Sequence, residues 1–404
     1  MTAVLPMTNP IRPYAWGSRT AIAALQGREP AAGPEAELWM GAHPASPSVL
    51  TTRGGPIPLP DLIAGDPEGT LGAEALGRFG PRLPFLLKVL AADEPLSLQV
   101  HPSPEQAAAG FERENRAGIP LGAPDRNYRD PYAKPELLCA LEPFEALSGF
   151  RAPAESAALL ESLGVPALEP TVKLLSAGAV HTAVSELLTL PAAEREPLVS
   201  AVAAACAARE DLVWAAGLAG HYPGDSGVVI ALCMNRVVLA PGEAMYVPAG
   251  QPHSYMRGVG VEIMGSSDNV LRGGLTGKHI DIPELLAILS PEPAEPAVVR
   301  PAARDGVEVY ETPAAEFRLS RVRLDGNLDL PATGPRILLS VAGTVTVRRR
   351  PRDGQGNPGD RLEHGTPGEH DEIALAPGAS AFAPASAGPL MLSGHGTVFV
   401  ATTG

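Results

Sequence analysis

A chain of 404 residues is too long for one compact core on ordinary domain statistics, so two or three units are expected. Its net charge of −14 argues against nonspecific nucleic-acid binding, which needs a basic surface, but leaves room for a few converging cations around one small anion. No stretch of about 18 apolar residues reads as a membrane span. The opening MTAVLPMTNPIRPYAWG lacks the basic start and apolar run of a secretory signal, so a cytoplasmic protein is expected. Cys139, Cys206 and Cys233 are odd in number and widely spaced, which fits reduced, buried thiols rather than disulfides or a cysteine zinc cluster.

Residues 1–152 read as short apolar runs punctuated by Pro, Gly and Asp: LPFLLKVL ending at Leu90, LSLQV ending at Val100, PELLCAL ending at Leu141. That texture predicts strands of a sandwich or barrel. In SLQVHP, Gln99 and His101 lie two apart, so they share one strand face while Leu98 and Val100 share the other. Imidazole is a common zinc ligand and an amide oxygen a rarer one, which makes His101 the stronger half of a ligand pair. SPEQAAAG supplies Ser103 as an N-cap and Pro104 at the first helical position, which assigns Glu105 to a helix turn. KPELLCAL repeats the two-residue spacing with Lys134 and Glu136, just after the loop APDRNYRDPYA; Glu136 is therefore the preferred carboxylate ligand over Glu105.

Residues 153–221 change character. AESAALLESLG, TAVSELLTL and PLVSAVAAACAAREDLVWAAGLAG carry apolar residues three to four apart, the pattern of amphipathic helices, with a stop at Gly164. Strand texture is expected again from Gly227 through VVIALCMNRVVLAPGEAMYVPAG and VGVEIMG, so the helices form an insertion between two parts of one β domain, 1–152 and 222–289. VPAGQPHSYM delivers His253 after a turn, with Tyr255 on the same face, and SSDNVLRGGLTGKHID offers Asp268, Arg272 and Lys278 among glycines that allow close backbone approach. DIPELLAIL predicts one more helix. Residues 290–306 read as a linker and 307–404 as a final β unit with a long polar loop, PRDGQGNPGDRLEHGTPGEHDE, whose composition predicts mobility.

An internal repeat supports this layout. LAPGEAMYVPAGQPHSYMRGVG from Leu239 aligns without gaps onto LAPGASAFAPASAGPLMLSGHG from Leu375, sharing turn prolines and glycines. His253 falls opposite Pro389, which confines the metal to the first copy. Among the remaining histidines, His43 sits in a Pro-rich turn and reads as structural; His181, His221, His279, His364, His370 and His395 show no ligand spacing.

Together, PYAWGS, AELWMGAHP, LLKVL with LSLQVHP, KPEL, and VPAGQPHSYM followed by SSDNVLRGGLT resemble, in order and over nearly the full length, the type I mannose-6-phosphate isomerases. The resemblance implies a mainly β, cupin-like β-sandwich or jelly-roll architecture with an inserted α-helical domain. It also implies an aldose–ketose isomerase that holds one zinc ion per chain and interconverts mannose 6-phosphate and fructose 6-phosphate through an enediol; a monomer acting on this small sugar phosphate is expected. Carried over by position, the zinc ligands fall on Gln99, His101, Glu136 and His253, and Gln99 rests largely on this resemblance. Arg272 takes the place of the catalytic arginine, Lys134 and Lys278 match active-site lysines, and Ser97, Tyr255, Glu262 and Asp268 match pocket positions. Lys134 is the choice for proton transfer, Lys278 and Ser97 for phosphate contact. Two departures stand out: Ala133 replaces a histidine before Lys-Pro-Glu, and Gly277 replaces a proline, which would loosen the loop that carries Lys278. Two histidines and one glutamate also match the facial triad of iron oxygenases, a reading weakened by the fourth ligand and the Arg and Lys cluster.

Overall fold

The computed structural model describes residues 3–350 and 372–404. The long polar loop, except its last residue, lies outside the described residues, as do His364 and His370. The fold is mainly β with a helical portion, and the chain divides into two compact units: one takes the residues up to Ala91, Val261–Ser266 and the chain from Val299 on; the other takes Ala92–Gly260 and Ser267–Val298.

In the first unit a ten-stranded antiparallel sheet is built mostly from C-terminal residues, but its ladder also takes strands from the chain's start. Leu5–Thr8 pairs with Ser380–Ala383 on one side and Val49–Thr52 on the other, with Leu5 opposite Phe382. Two long strands, Arg318–Leu330 and Leu390–Thr402, run side by side from Arg318↔Thr402 to Leu330↔Leu390. Part of the expected linker is also strand, since Ala302–Arg304 pairs with Val307–Tyr310. Its three residues are all exposed, so the ladder arises from backbone pairing and leaves no apolar pattern to read. Three short helices, Leu59–Gly65, Pro67–Leu71 and Ala73–Phe79, stand where punctuated apolar runs suggested strands. The second of them begins with the capping-and-proline signature of a helix start, Asp66 capping Gly69 and Pro67 at the first helical position.

In the second unit the expected helices form between two sets of strands, from Pro153–Glu161 to Val213–His221. The first ends at Ser162 and is followed by Gly164 at φ +63, the left-handed conformation that glycine adopts without steric cost. Two expectations are corrected. The run from 197 to 220 is two helices, Ala192–Ala207 and Val213–His221, because Arg209 turns back on Asp211 with contacts of 3.2 and 2.7 Å and closes a short turn between them. Gly227–Leu232 is helix rather than strand, every residue of it buried; a short, uniformly apolar run carries no period to tell the two apart. The strand starts at Met234.

The helices cover the apolar side of the ligand strand. Leu98, Val100, Leu147 and Phe150 share one core with Val184 and Ile230 of the insertion and Leu285 of the helix Ile282–Ile288. With Leu98 and Val100 committed to that core, the two-residue period sends Gln99 and His101 the other way.

Candidate metal centre

Four strands of the second unit build the site. His253 opens the strand His253–Gly265 and is the register partner of Gln99 on one side and Ser148 on the other. Gln99 is also opposite Arg272 of the short strand Leu271–Arg272. Glu136 opens the strand Glu136–Ala140, paired through Val247 of Ala244–Val247. Among the described residues, one group of metal-ligating side chains emerges: His101, Glu136 and His253, all buried, with ligand atoms within 4.8 Å of one another.

The local electrostatics ask for a cation. His101 Nδ1 lies 3.0 Å from the Asn269 carbonyl and His253 Nδ1 3.1 Å from the Gln251 carbonyl. A carbonyl only accepts, so each Nδ1 carries the proton and each Nε2 offers a lone pair. Those Nε2 atoms face Glu136: 3.1 Å from His101 to Oε1 and 3.4 Å from His253 to Oε2. His101 Nε2 is buried and has no hydrogen-bond partner among the described residues. Protonating the imidazole does not resolve this, because burial first and the Lys134 charge second push the His101 pKa down to about 4. Glu136 stays ionised: burial alone would raise its pKa, but Lys134, His101 and His253 hold it well below the usual carboxylate range. Two imidazole nitrogens and a carboxylate thus converge on one buried point, an arrangement that a divalent cation with nitrogen and oxygen preferences completes.

The other predicted residues distribute as follows. Tyr255 is buried and donates its hydroxyl to Glu136 Oε2 at 3.2 Å, and Lys134 Nζ lies 3.3 Å from Glu136 Oε1. Ser97 is half-buried just ahead of Gln99. Arg272 is half-buried, with burial and then the charge of Arg129 lowering its pKa. Lys278 is exposed, yet its loop is tied down: its amide donates to Thr276 Oγ1 at 3.1 Å, and the Thr276 amide donates to Asp225 Oδ2 at 3.0 Å. Those bonds hold the segment on either side of Gly277. Asp268 is exposed, its amide donating to Asp130 Oδ2 at 2.8 Å. Glu262 stands in the first unit, buried, 2.9 Å from Lys88, which also lies 3.4 Å from Glu37. Glu105 is outside the metal group: Ser103 caps the helix Pro104–Arg116 with Gln106 completing a capping box, and Glu105 accepts from Ser103 Oγ at 2.8 Å. Ala133 is buried.

Asn269 was not singled out in the sequence. Fully buried, it holds His101 through its carbonyl, accepts from the amides of Arg129 and Asp130 at 2.8 and 3.3 Å, and donates to the carbonyls of Asp130 and Tyr132 at 2.7 and 3.0 Å. The only sequence signal was an asparagine in a turn-rich SSDN segment.

A model of the family described as phosphomannose isomerase type I, catalytic domain, matches residues 4–153. The mannose-6-phosphate isomerase of Escherichia coli (strain K12) is 38% identical over 399 residues, covering 96% of this chain and 97% of that protein. The Homo sapiens mannose-6-phosphate isomerase is 32% identical over 383 residues, covering 85% and 88%. A crystal structure of the Salmonella typhimurium mannose 6-phosphate isomerase bound to fructose 6-phosphate and zinc superposes with a TM-score of 0.88 at 36% identity, covering 99% of each chain.

Proposed function

Because this chain belongs to the type I phosphomannose isomerases, we propose that its buried group of His101, Glu136 and His253, with Gln99, is the zinc site of an aldose–ketose isomerase. The chain is a zinc-dependent mannose-6-phosphate isomerase, interconverting mannose 6-phosphate and fructose 6-phosphate. The observation that supports the ligand set is the convergence of both imidazole Nε2 atoms on the buried Glu136 carboxylate. When bound, zinc supplies Lewis-acid polarisation of the sugar oxygens.

The remaining work falls to the chain's own residues. Moving a proton between C2 and C1 through an enediol requires a group that takes and returns it, fixed positive charge near the developing oxyanion, and an anchor for the phosphate. Lys134 is assigned the proton transfer, its Nζ held 3.3 Å from Glu136 Oε1. Arg272, in register with Gln99, supplies charge close to the ligands. Tyr255 fixes the orientation of Glu136 by donating to its second oxygen. Ser97 and Lys278 contact the phosphate, and Asp268 faces the sugar. We also read the chain as a cytoplasmic monomer. No helix among the described residues is long and apolar enough to cross a membrane, and the exposed large apolar residues, Leu121, Val213, Val238 and Val298 among them, are scattered along the chain.

The decisive experiment is a coupled assay on mannose 6-phosphate before chelation, after thorough zinc removal and after zinc add-back. Activity is expected to vanish with the metal and return with it; turnover that survives chelation would overturn the reading.

A further inference from the structure

Three cations of the second unit share one neighbourhood: the charge of Arg129 reaches Arg272, and the charges of both reach Lys278. No acid joins them: among the described residues, no ion pair engages Arg129, Arg272 or Lys278, and neither guanidinium nor the ammonium makes a hydrogen bond. In a chain with 45 acidic and 31 basic residues, three gathered cations without a counter-ion are against the odds of the composition.

Their arrangement is built into the backbone. The Arg129 amide donates to Asn269 Oδ1 at 2.8 Å, and the Asn269 side chain donates to the carbonyls of Asp130 and Tyr132 at 2.7 and 3.0 Å. Asn269 lies three residues before Arg272, so the loop carrying Arg129 is stitched to the segment carrying Arg272. The acid next to Arg129 is engaged elsewhere: Asp130 accepts from the amides of Tyr132 and Asp268 at 3.0 and 2.8 Å. Asparagine suits this position because it offers both an acceptor and two donors to a loop of amides and carbonyls; an aspartate could not donate.

We propose that Arg129 is the third cation of the phosphate seat, beside Arg272 and Lys278, and that it governs affinity for the phosphate of the substrate. This rests on the sugar-phosphate reading above and adds to it a residue that reading does not contain. A dianionic phosphate offsets the mutual repulsion of three cations, and guanidinium forks match phosphate oxygens geometrically. Because the phosphate lies away from the carbons that exchange the proton, the contact contributes equally to ground and transition states and appears in KM rather than kcat.

The test uses the full-length zinc-loaded enzyme with Arg129→Ala, Arg129→Lys and Arg129→Glu, reading kcat and KM for mannose 6-phosphate and, by calorimetry without turnover, the Kd of inorganic phosphate. Alanine is expected to raise KM and the phosphate Kd by about tenfold while kcat moves less than about twofold; lysine recovers most of the loss and glutamate deepens it to about fiftyfold or more. Zinc content equal to the parent enzyme establishes that each variant is folded at the metal, and Arg257→Ala, an exposed arginine elsewhere, is expected to change neither quantity. A phosphate Kd unchanged in Arg129→Ala overturns the proposal, whatever happens to KM. If the parent enzyme binds phosphate through Arg129 but does not turn over mannose 6-phosphate, the seat stands and the isomerase reading falls.

Discussion

Residues 239–260 and 375–396 trace the same path twice. Each begins at a strand end, Leu239 or Leu375, and turns at a glycine with positive φ, Gly242 at +89 or Gly378 at +78. Each then forms a four-residue strand, Ala244–Val247 or Ser380–Ala383, before a long one. The equivalence extends to the partner strands, for Val247 is opposite Glu136 and its counterpart Ala383 is opposite Arg336. Where one copy places a buried carboxylate that faces two imidazoles, the other places a buried guanidinium. Arg336 donates to the carbonyls of Pro331 and of Gly388, the residue aligned with Pro252 just before His253. One copy gathers acceptors and calls for a cation from solution; the other carries its cation covalently and turns backbone carbonyls toward it. The strand path is therefore neutral toward metal, and three side chains decide the outcome.

This contrast can be attacked at several points. The largest effect is expected from Glu136→Gln, which leaves shape but removes the charge that draws the metal: zinc content should fall to background and kcat/KM by about a thousandfold or more, while the unit containing Arg336 keeps its stability. Metal analysis beside the coupled assay reads both. Arg336→Ala should do the converse, lowering the thermal midpoint by the equivalent of about 2–4 kcal/mol, because it opens a cavity where a fully buried side chain stood and removes the donor to two part-buried carbonyls. Zinc content and activity per folded molecule should not move. A smaller effect comes from the thiols. All three cysteines are buried and lie in the metal-bearing unit, so they report on that unit alone. Zinc removal should speed their modification at pH 8 by about tenfold through increased local opening, and Arg336→Ala should leave the rate unchanged. Burial pushes the Cys233 thiol up to about 12 from 9. Its folded pKa is raised, so its contribution is fully present below about pH 9 and is lost as the pH climbs toward 12, where the unfolded chain ionises first. Denaturant midpoints followed by thiol exposure across that window should therefore fall. The smallest expected change is none: Pro389→His restores one imidazole without its carboxylate, and the zinc content should stay at one per chain.

Much of this site was legible because its rules are local. The alternation Leu98, Gln99, Val100, His101 separates core from ligand faces with no knowledge of the neighbours, and the Ser103–Gln106 cap removes Glu105 from contention within four residues. The segment Gly227–Leu232 was misread because buried helix and buried strand look alike over six apolar residues. Asn269 and Arg129 were illegible for another reason. Their bonds join positions about 140 apart in the chain, and a polar residue in a turn carries no mark of which distant loop it will hold. The pairing of Leu5–Thr8 with Ser380–Ala383 is the extreme case, since strand texture announces a strand but never its partner.

That pairing also sets an order of events during synthesis. Every residue of the metal-bearing unit has been made once the ribosome passes Val298, whereas the sheet of the other unit needs both the first strand and the last. At 5–20 residues per second, Leu5–Thr8 waits roughly 20 to 75 seconds for Ser380–Ala383 to be made. For that interval the earliest strands have edges without their final neighbours, the state most exposed to wrong pairing. The newborn chain can thus assemble its zinc ligands before the unit that contains its own N-terminus has closed.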